Sequence, residues 1–232
     1  MSQSQTLVVT GVASGIGRET ARLAVAAGHD VIGVDLHEPN EACGRFIAAD
    51  LGDPASIAAL VGALPSEIDA LMNVAGVSGM LGAARTLAIN FYGPRALSEA
   101  IAPKLKTGGA IVNVASIAGS IGVAYEAVYS ATKGGLIAFS ESVRYELAGT
   151  GGGVTVVFPA AVETSFFARA GRPYTRRFPR LVDPARVAET LIVAVERSTP
   201  EVFVPRWTVV PVRLRGGLPG AFRRAAGHSM RG

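Results

Sequence analysis

The sequence predicts an α/β fold, a single domain built around a doubly wound parallel sheet of about seven strands. Short β-branched runs alternate with Ala-rich helical stretches along most of the 232 residues, and this alternation is typical of right-handed βαβ units. Most of the predicted strands are near-continuous apolar runs, as expected where helices cover both faces of a sheet. Hydrophobic residues make up 49% and charged residues 17% of the chain, so a large core is expected and wholesale disorder is not.

The elements follow one another in a regular order. The strands are predicted over residues 6–10, 29–35, 45–50, 68–76, 109–116, 153–159 and 201–205. The helices are predicted over residues 16–27, 54–63, most of 82–105, 126–148 and 184–197. Residues 107–125 carry no charge, but their glycines and polar residues favour a buried strand and a loop over a membrane span.

The segment TGVASGIG, residues 10–17, joins the first predicted strand to the first helix. Its glycine spacing alone is weak support, because glycine is abundant in this chain. Its position is stronger support, because amides at a helix N-terminus favour phosphate and glycine lets the backbone approach closely. We therefore expect a Rossmann-type dinucleotide site at Gly11, Gly15 and Gly17, with a plain glycine-rich turn as the alternative.

Asp35 ends the second predicted strand and bears on the choice of cofactor. A carboxylate there accepts hydrogen bonds from a ribose 2′-hydroxyl and repels a 2′-phosphate. The next residues, Leu36 and His37, offer no fixed cation, and Ser14 is neutral where a basic residue would help to bind NADP. Arg18 is the one nearby cation and is expected on the helix. The sequence thus favours NAD over NADP.

The segment YSATK, residues 129–133, places a tyrosine and a lysine on one helix face. The chain has only three Lys beside its 19 Arg, so a Lys at this position is unusual. An ammonium group beside Tyr129 is expected to favour the phenolate and to lower its pKa. Tyr129 is therefore predicted to donate or accept a proton near neutral pH, with Lys133 as its partner.

Ser116 lies 13 residues before Tyr129, at the end of a predicted strand. Ligands of open parallel sheets bind beyond the carboxyl ends of the strands, so its hydroxyl is expected to hold a substrate oxygen against Tyr129. No His is placed to activate Ser116, and NVASIAG is not a nucleophile elbow, so a nucleophilic role is not predicted.

These motifs occur in one order. TGVASGIG, Asp35, Asp50 with Leu51, NVAG at 73–76, Asn90 in INFYG, Ser116 and YSATK follow one another along the chain. On these residues the sequence resembles the short-chain dehydrogenase/reductase family, from about Thr6 to Pro205. The resemblance implies a catalytic tetrad of Asn90, Ser116, Tyr129 and Lys133, in which Asn90 holds a water in a proton relay through Lys133.

The resemblance also implies a cofactor site. The expected contacts with the dinucleotide are Gly11, Ser14, Gly15, Ile16, Gly17, Asp35, Asp50, Leu51, Asn73, Ala75, Gly76, Tyr129, Lys133, Pro159, Val162 and Thr164. Asp50 and Leu51 would flank the adenine, and Val162 and Thr164 would meet the nicotinamide carboxamide.

Three of these residues have open alternatives. The alternative for Asn73 is to brace the central sheet. For Asn90 it is a helical position with no catalytic part, and for Thr164 it is to cap the helical turn that follows. The sequence departs from the family pattern at Val74, and at Ala160 after Pro159. Asn90 follows Gly76 by 14 positions, a shorter separation than usual, as in some bacterial hydroxysteroid dehydrogenase/carbonyl reductases.

The function expected on this resemblance is NAD(H)-linked oxidation of a secondary alcohol or reduction of a ketone. An NADP-dependent carbonyl or ketoacyl reductase is the alternative, and a nucleotide-binding regulator without turnover is a further one. The NAD-binding domain is expected over residues 1–205, with residues 163–182 as a substrate lid and 206–232 as a basic extension. The lid carries four aromatic residues, Phe166, Phe167, Tyr174 and Phe178. They suggest an apolar substrate such as a steroid, a terpenoid or an acyl chain. The alternative is that they only pack the lid against the rest of the domain.

Cysteine and histidine usage argues against metal and disulfide chemistry. Cys43 is the only cysteine, so the chain forms no internal disulfide, and we expect a buried thiol in a reducing compartment. The three His are not spaced as zinc ligands with it, so no metal is predicted. The first residues resemble no signal peptide, and a cytoplasmic location is expected.

Arginines fall in two blocks without acidic residues. The lid block is Arg169, Arg172, Arg176, Arg177 and Arg180, and the tail block is Arg206, Arg213, Arg215, Arg223, Arg224 and Arg231. No groove-reading motif accompanies them, so nucleic acid is not a predicted partner. Three interpretations stay open: a solvated basic surface with the tail packed on a partner subunit, a tail lying on an anionic membrane, and a lid that attracts anionic substrates.

We also expect a homodimer or homotetramer, paired through the helices that carry Asn90 and Tyr129. Their outer faces are expected to include Leu97, Ile101, Leu136 and Phe139, although some of these residues must face the sheet.

Overall fold

The structure is a computed structural model that describes residues 4–175 and 179–226. Phe178, Arg176, Arg177 and Arg231, which belong to the expected lid and tail, lie outside the described residues. In chain order the strands are β1 (Thr6–Thr10), β2 (Asp30–Asp35), β3 (Arg45–Ala48), β4 (Ile68–Asn73), β5 (Leu105–Val114), β6 (Gly153–Pro159) and β7 (Glu201–Val204).

The helices alternate with these strands and cover the sheet. They are α1 (Gly15–Ala26), α2 (Pro54–Ala63), α3 (Ala83–Leu87), α4 (Gly93–Ile101), α5 (Ile117–Ile121), α6 (Ala127–Leu147), α7 (Phe166–Arg169), α8 (Pro184–Arg197), α9 (Val209–Gly217) and α10 (Pro219–Ala226). A π-helical turn, Ala88–Tyr92, joins α3 to α4. Short 3₁₀ turns cover Gly79–Leu81, Ala102–Lys104 and Arg206–Thr208.

All seven strands pair in parallel, in the order β3-β2-β1-β4-β5-β6-β7. The chain returns to the middle of the sheet after β3, so the strand order reverses between β1 and β4. Ligands of doubly wound sheets bind in the crevice beyond the carboxyl ends of the strands at such a reversal. The predicted fold class is confirmed.

Side chains of the strands alternate between two core layers. Leu7 and Val9 of β1 lie in one buried cluster with Leu191 of α8. Val8 points to the other face and lies in a second cluster with Leu97 of α4. The period of two places every second residue on the same face, so the apolar strands bury both faces, as the sequence predicts.

The α4 and α6 helices direct most of their large apolar residues at the sheet. Leu97, Ile101 and Leu136 are buried, with no exposed area in the chain. The expectation that they lie on outer faces is therefore wrong, because the helical repeat places them on the sheet side. Phe139 is partly buried and packs edge-on against Phe91, with ring centres 6.4 Å apart.

Several predicted boundaries differ from the structure, and two of the larger differences involve the central strands β4 and β5. The strand predicted over 68–76 ends at Asn73, because the Thr10 hydroxyl accepts hydrogen bonds from the amides of Val74 and Ala75, at 2.9 and 3.0 Å, and draws them out of the sheet. The strand predicted from residue 109 begins at Leu105, which pairs with Ile68 across an irregular register.

The C-terminal extension packs partly on the domain. Val209 and Val212 contact a buried cluster that includes Phe158 and Phe203, and Phe222 is buried. Trp207, Val210 and Leu218 are exposed. Membrane contact through this tail stays a prediction. In the described part of the chain, no helix has the length and apolar character to cross a membrane, and no group of three or more potential metal ligands comes together.

Candidate active site

The glycine-rich turn brings the backbone of β1, β4 and α1 into close approach. Gly11 has a φ of 82°, and its amide donates to the carbonyl of Val34 at 2.7 Å. A Cβ on Gly11 would lie 2.9 Å from the Cα of Ala75, and one on Gly17 would lie 2.2 Å from the carbonyl oxygen of Gly11. Glycine is therefore required at both positions.

The start of α1 faces the lid. Ser14 is the N-cap residue of α1, yet its side chain makes no capping hydrogen bond. Its hydroxyl instead accepts a hydrogen bond of 2.9 Å from Nη2 of Arg169, at the end of α7. Gly15 has a φ of 56°, and a Cβ there would lie 3.0 Å from a methyl carbon of Thr164. Ile16 packs against the core.

Asp35 lies at the carboxyl end of β2, beside the glycine-rich turn. Its carboxylate accepts hydrogen bonds from the amide of Ala13 at 3.0 Å and from the amide of His37 at 3.2 Å. These bonds orient the carboxylate next to the start of α1. Each Asp35 carboxylate oxygen can accept one further hydrogen bond, since a carboxylate accepts about four in all.

Asp50 and Leu51 have partners within the chain. The Asp50 carboxylate accepts two hydrogen bonds from Nη2 of Arg85, at 2.8 and 2.7 Å, and one from the amide of Gly52 at 2.8 Å. The Arg85 guanidinium lowers the pKa of Asp50. The Leu51 side chain is buried in a core cluster. Contact of these two residues with adenine stays a prediction.

Asn73 belongs to a buried polar network inside the sheet. Its amide donates to Oδ1 of Asn113 at 2.8 Å and to the hydroxyl of Ser98 at 3.2 Å. Asn113 donates in turn to Ser140 at 2.8 Å. The network links β4, β5, α4 and α6, so Asn73 braces the sheet. A direct contact of Asn73 with a cofactor stays a prediction.

Ser116 and Tyr129 meet beyond the carboxyl end of β5. Ser116 is the N-cap of α5, and its hydroxyl accepts from the amide of Ala118 at 3.2 Å and donates to the carbonyl of Pro159 at 3.5 Å. The Ser116 hydroxyl also lies close to the Tyr129 phenol, and this contact opposes the rise in the Tyr129 pKa that desolvation causes. The two hydroxyls predicted to act on one substrate oxygen are thus together.

Lys133 extends from α6 to the end of β5. It is buried, and Nζ donates to the carbonyl of Val114 at 2.7 Å. The same nitrogen lies 5.9 Å from the centre of the Tyr129 ring. Because burial disfavours the charged form, it lowers the pKa of Lys133 to about 8.

The pKa of Tyr129 does not follow the sequence-based expectation. The Tyr129 side chain is half-buried, and its desolvation raises the pKa to about 12, an effect that outweighs the opposing contact with Ser116. The nearby carboxylate of Glu126 raises it further. The expected lowering of the Tyr129 pKa by Lys133 is wrong for the protein without bound ligands. Moving a phenolate out of water costs more free energy than its favourable contacts recover.

Asn90 lies in the π-helical turn and is buried. Its Oδ1 accepts from the amide of Val77 at 2.8 Å, while Nδ2 donates to the carbonyl of Val77 at 2.7 Å and to the hydroxyl of Thr132 at 3.3 Å. A Cβ on Gly76 would lie 3.5 Å from Oδ1 of Asn90 and 3.5 Å from Nζ of Lys133. Asn90 and Lys133 therefore border one small space, which Gly76 leaves open.

The remaining predicted residues lie between the end of β6 and the lid helix α7. Pro159 ends β6, and Val162 forms a parallel bridge with Val182 at the base of the lid. The Thr164 hydroxyl accepts from the amide of Phe166 at 3.3 Å. Thr164 thus supports the turn that follows, as one alternative proposed, while its methyl group lies on Gly15.

The lid places an aromatic ring directly on the catalytic candidate. The rings of Phe166 and Tyr129 have their centres 5.4 Å apart, and Phe167 and Tyr174 continue the aromatic row. Met80 and Tyr125 are exposed on segments next to Tyr129. An aromatic row of the lid therefore begins on the Tyr129 ring.

Sequence reasoning missed four residues that complete this arrangement. Thr10 holds the amides after β4, Thr132 supports Asn90, Glu126 accepts from the amide of Gly79 at 3.0 Å, and Arg169 reaches Ser14. Thr10 and Thr132 lie inside TGVASGIG and YSATK, so the motifs contained a signal for them. Glu126 and Arg169 act through tertiary contacts that no local pattern indicates.

The crevice fits a dinucleotide by its own geometry. The close contacts at Gly11 and Gly17 show a turn that a side chain would block. The amides that open α1 and the Asp35 carboxylate offer partners for a phosphate and a ribose hydroxyl. Ser116, Tyr129 and Lys133 lie beyond the carboxyl end of β5, two strands from β1 and at the same edge of the sheet.

Comparison with known proteins agrees with this geometry. The family model described as short chain dehydrogenase matches residues 5–174. A coniferyl-alcohol dehydrogenase from Pseudomonas sp. is 43% identical over 114 residues, which cover 49% of this chain and 45% of that protein. A short-chain type dehydrogenase/reductase from Sinorhizobium fredii is 33% identical, over 78% of this chain and 37% of that protein. The chain therefore spans less than half the length of these two relatives.

Solved structures share the fold across most of the chain. A 3-alpha-hydroxysteroid dehydrogenase from Pseudomonas sp. complexed with NADH is 25% identical, with a TM-score of 0.73 over 86% of this chain and 94% of that chain. A short-chain dehydrogenase from Sphingobium yanoikuyae in complex with NADPH is 25% identical, with a TM-score of 0.77 over 93% and 96% of the two chains.

Proposed function

The chain belongs to the short-chain dehydrogenase family, and we propose that it oxidises a secondary alcohol, or reduces the matching ketone, with NAD(H). The observation that carries the proposal is the meeting of the Ser116 hydroxyl with the Tyr129 phenol, beside the buried ammonium group of Lys133. This combination offers a hydrogen-bond donor for the substrate oxygen and a proton donor or acceptor at the same place.

Each residue has one task in this proposal. The bound nicotinamide supplies or accepts the hydride, as the cofactor's own chemistry. The Ser116 hydroxyl holds the substrate oxygen. In ketone reduction the Tyr129 phenol gives its proton to that oxygen, and in alcohol oxidation the phenolate takes the proton back. Lys133 binds the nicotinamide ribose, and Asn90 supports the passage of protons between Lys133 and solvent.

NAD is the proposed cofactor because of the charges around β2. The Asp35 carboxylate is held beside the glycine-rich turn and repels a 2′-phosphate. The guanidinium group of Arg18 lies 3.7 Å from a Glu19 oxygen and 3.9 Å from a Glu41 oxygen. These acids offset the cation that would otherwise attract a 2′-phosphate.

An NADP-dependent carbonyl or ketoacyl reductase is the second candidate. The observation in its favour is Arg169, whose guanidinium lies on Ser14, where a basic residue would favour NADP. The similar structure from Sphingobium yanoikuyae contains NADPH, which supports the same candidate. Side-by-side kinetics with NADH and NADPH separate the two.

The proposed substrate is apolar. Phe166 packs on the Tyr129 ring, and Met80 and Tyr125 are exposed on the chain segments next to Tyr129. Two similar proteins are named for coniferyl alcohol and for a 3-alpha-hydroxysteroid, which supports a hydroxyl-bearing substrate with a large carbon skeleton. The short segment between Gly76 and Asn90 supports room for such a ligand on this side of the cleft.

The experiment is a substrate screen with the purified protein. Steroid, terpenoid and short polar alcohols are offered with NAD, and the matching ketones with NADH, while NADH absorbance is followed. We expect turnover with apolar members of the panel. A protein that binds NADH but turns over no member would instead be a nucleotide-binding regulator, and the proposal would fail.

A further inference from the structure

The lid touches the glycine-rich turn at two adjacent points. Thr164 packs on Gly15, where a Cβ would lie 3.0 Å from its methyl carbon. Five residues later, Nη2 of Arg169 donates to the Ser14 hydroxyl at 2.9 Å. The second contact joins residues 155 positions apart, so it is a tertiary feature of the lid and not part of the glycine motif.

The Arg169 guanidinium has a weak partner for its charge. Ser14 is neutral, and the hydrogen bond is exposed. Residues 164–182 contain no Asp or Glu, and within residues 4–175 and 179–226 no carboxylate forms an ion pair with Arg169. A hydrogen bond from a guanidinium to a phosphate is charge-assisted and stronger than one to a neutral hydroxyl.

The N-terminus of α1, which Arg169 approaches, also attracts anions by itself. Ser14 is the N-cap of α1, whose first amides have no partner from within the helix. Such a helix start favours a phosphate group through its dipole and its amides. A cation on the lid and a helix N-terminus on the body therefore meet at one place in the cofactor crevice.

We propose that Arg169 binds the pyrophosphate of the dinucleotide, so that the lid and the start of α1 share this group. This inference rests on the proposed function, because it requires a dinucleotide at the glycine-rich turn. When the dinucleotide binds, the Arg169 guanidinium exchanges the neutral Ser14 hydroxyl for a phosphate oxygen. A variant that lacks the Arg169 charge should therefore bind every ligand that carries a pyrophosphate more weakly.

The contact links cofactor binding to the substrate cleft. Arg169 and Phe166 are the two ends of α7, and the Phe166 ring packs on Tyr129 with centres 5.4 Å apart. Holding Arg169 therefore holds Phe166 beside the phenol. Arg169 is a positioning residue for the lid as well as a ligand of the phosphate.

The chain offers a matched control three residues away. Arg172 belongs to the same acid-free block, but its guanidinium lies over the Tyr125 ring, 4.9 Å from the ring centre. Both arginines are exposed, so neither Arg169→Gln nor Arg172→Gln removes a buried contact. The two variants lose the same charge at different places.

The test is isothermal titration calorimetry of the wild type and both variants with ADP-ribose, which carries the pyrophosphate without nicotinamide, and with adenosine. Arg169→Gln is expected to weaken ADP-ribose binding by about tenfold or more, as expected for the loss of a charged hydrogen bond. Adenosine binding should stay within about twofold, and Arg172→Gln should bind both ligands within about twofold of the wild type. Arg169→Lys should recover part of the lost affinity.

Three outcomes overturn the inference. The first is that Arg169→Gln binds ADP-ribose as the wild type does. The second is that both variants lose affinity equally, which would indicate a general effect of charge. A loss confined to NADPH, with ADP-ribose unchanged, would assign the guanidinium to a 2′-phosphate. If the wild type itself binds neither ADP-ribose nor NADH, the proposed function fails instead, so the two failures are distinct.

Discussion

The ammonium group of Lys133 lies 5.9 Å from the centre of the Tyr129 ring, and burial moves the pKa values of the two groups in opposite directions. The Tyr129 pKa rises to about 12 and the Lys133 pKa falls to about 8. Each shift favours the neutral form, because a buried charge loses its hydration. Without ligands the site thus holds a protonated phenol, the form that gives a proton to a ketone.

The buried Lys133 leads to a prediction about stability and pH. A lowered pKa means that the charged form costs folding free energy, and this cost is fully present below about pH 8 and is relieved as pH rises toward the unfolded value of 10.5. Lys133→Met removes the titration. Its stability advantage over the wild type should therefore shrink between about pH 7 and about pH 9.5 in urea unfolding.

Lys106→Met is the control for this experiment. Lys106 is largely outside the core, and its hydrogen bond to Asp69 raises its pKa. The contribution of Lys106 to stability is therefore retained until pH rises through its pKa, which lies above 10.5. The difference in free energy of unfolding between Lys106→Met and the wild type should stay constant between about pH 7 and about pH 9.5. A pH-independent difference for Lys133→Met would contradict the buried, shifted lysine.

The glycine-rich turn gives a steric prediction. A Cβ on Gly17 would lie 2.2 Å from the carbonyl oxygen of Gly11 and 2.9 Å from that of Thr10. Backbone atoms on two sides leave no room to relax, so Gly17→Ala should lower the free energy of unfolding by about 1–3 kcal/mol. Gly62→Ala in α2 meets nothing within 4 Å and should raise it by up to about 1 kcal/mol. Equal effects of the two substitutions would contradict the close approach.

Much of this fold follows from local pattern. The alternation of apolar strands and Ala-rich helices predicts the doubly wound sheet, because covered parallel strands must be apolar on both faces. TGVASGIG and YSATK predict where Gly17 and Tyr129 lie, since a turn and a helix repeat fix local geometry. The pKa of Tyr129 could not be predicted, because burial depends on Phe166 and other residues distant in sequence. The π-helical turn at Asn90 and the contact of Arg169 with Ser14 are likewise set by tertiary packing.

Cofactor preference gives the next prediction. Asp35→Ala combined with Leu36→Arg should shift kcat/KM toward NADPH by about tenfold or more, because repulsion of the 2′-phosphate is removed and a cation is added. Leu36 is 52% exposed, so the arginine replaces no core residue. Kinetics with NADH and NADPH on both proteins test this. A wild type that already prefers NADPH would contradict the role assigned to Asp35.

The helices α4 and α6 are expected to pair with a second subunit. Members of this family are typically oligomeric. Tyr92, just before α4, and Tyr145, in α6, are 53% and 70% exposed. Light scattering should give a dimer or tetramer for the wild type and a smaller species after Tyr92→Arg with Tyr145→Arg. Val210→Arg, in α9, should leave the size unchanged. A wild type that is monomeric at micromolar concentration rejects this interface.

The proton transfer by Tyr129 is tested most directly by one comparison of turnover rates. Wild type, Tyr129→Phe and Tyr145→Phe are each given NADH and an apolar ketone that the wild type reduces. Tyr145 lies on the same helix but is exposed, so its variant should match the wild type. Tyr129→Phe should lose about 10² to 10⁴ in rate while its affinity for NADH stays within a few fold, because the hydroxyl that gives the proton is gone. Full turnover by purified Tyr129→Phe would contradict the account.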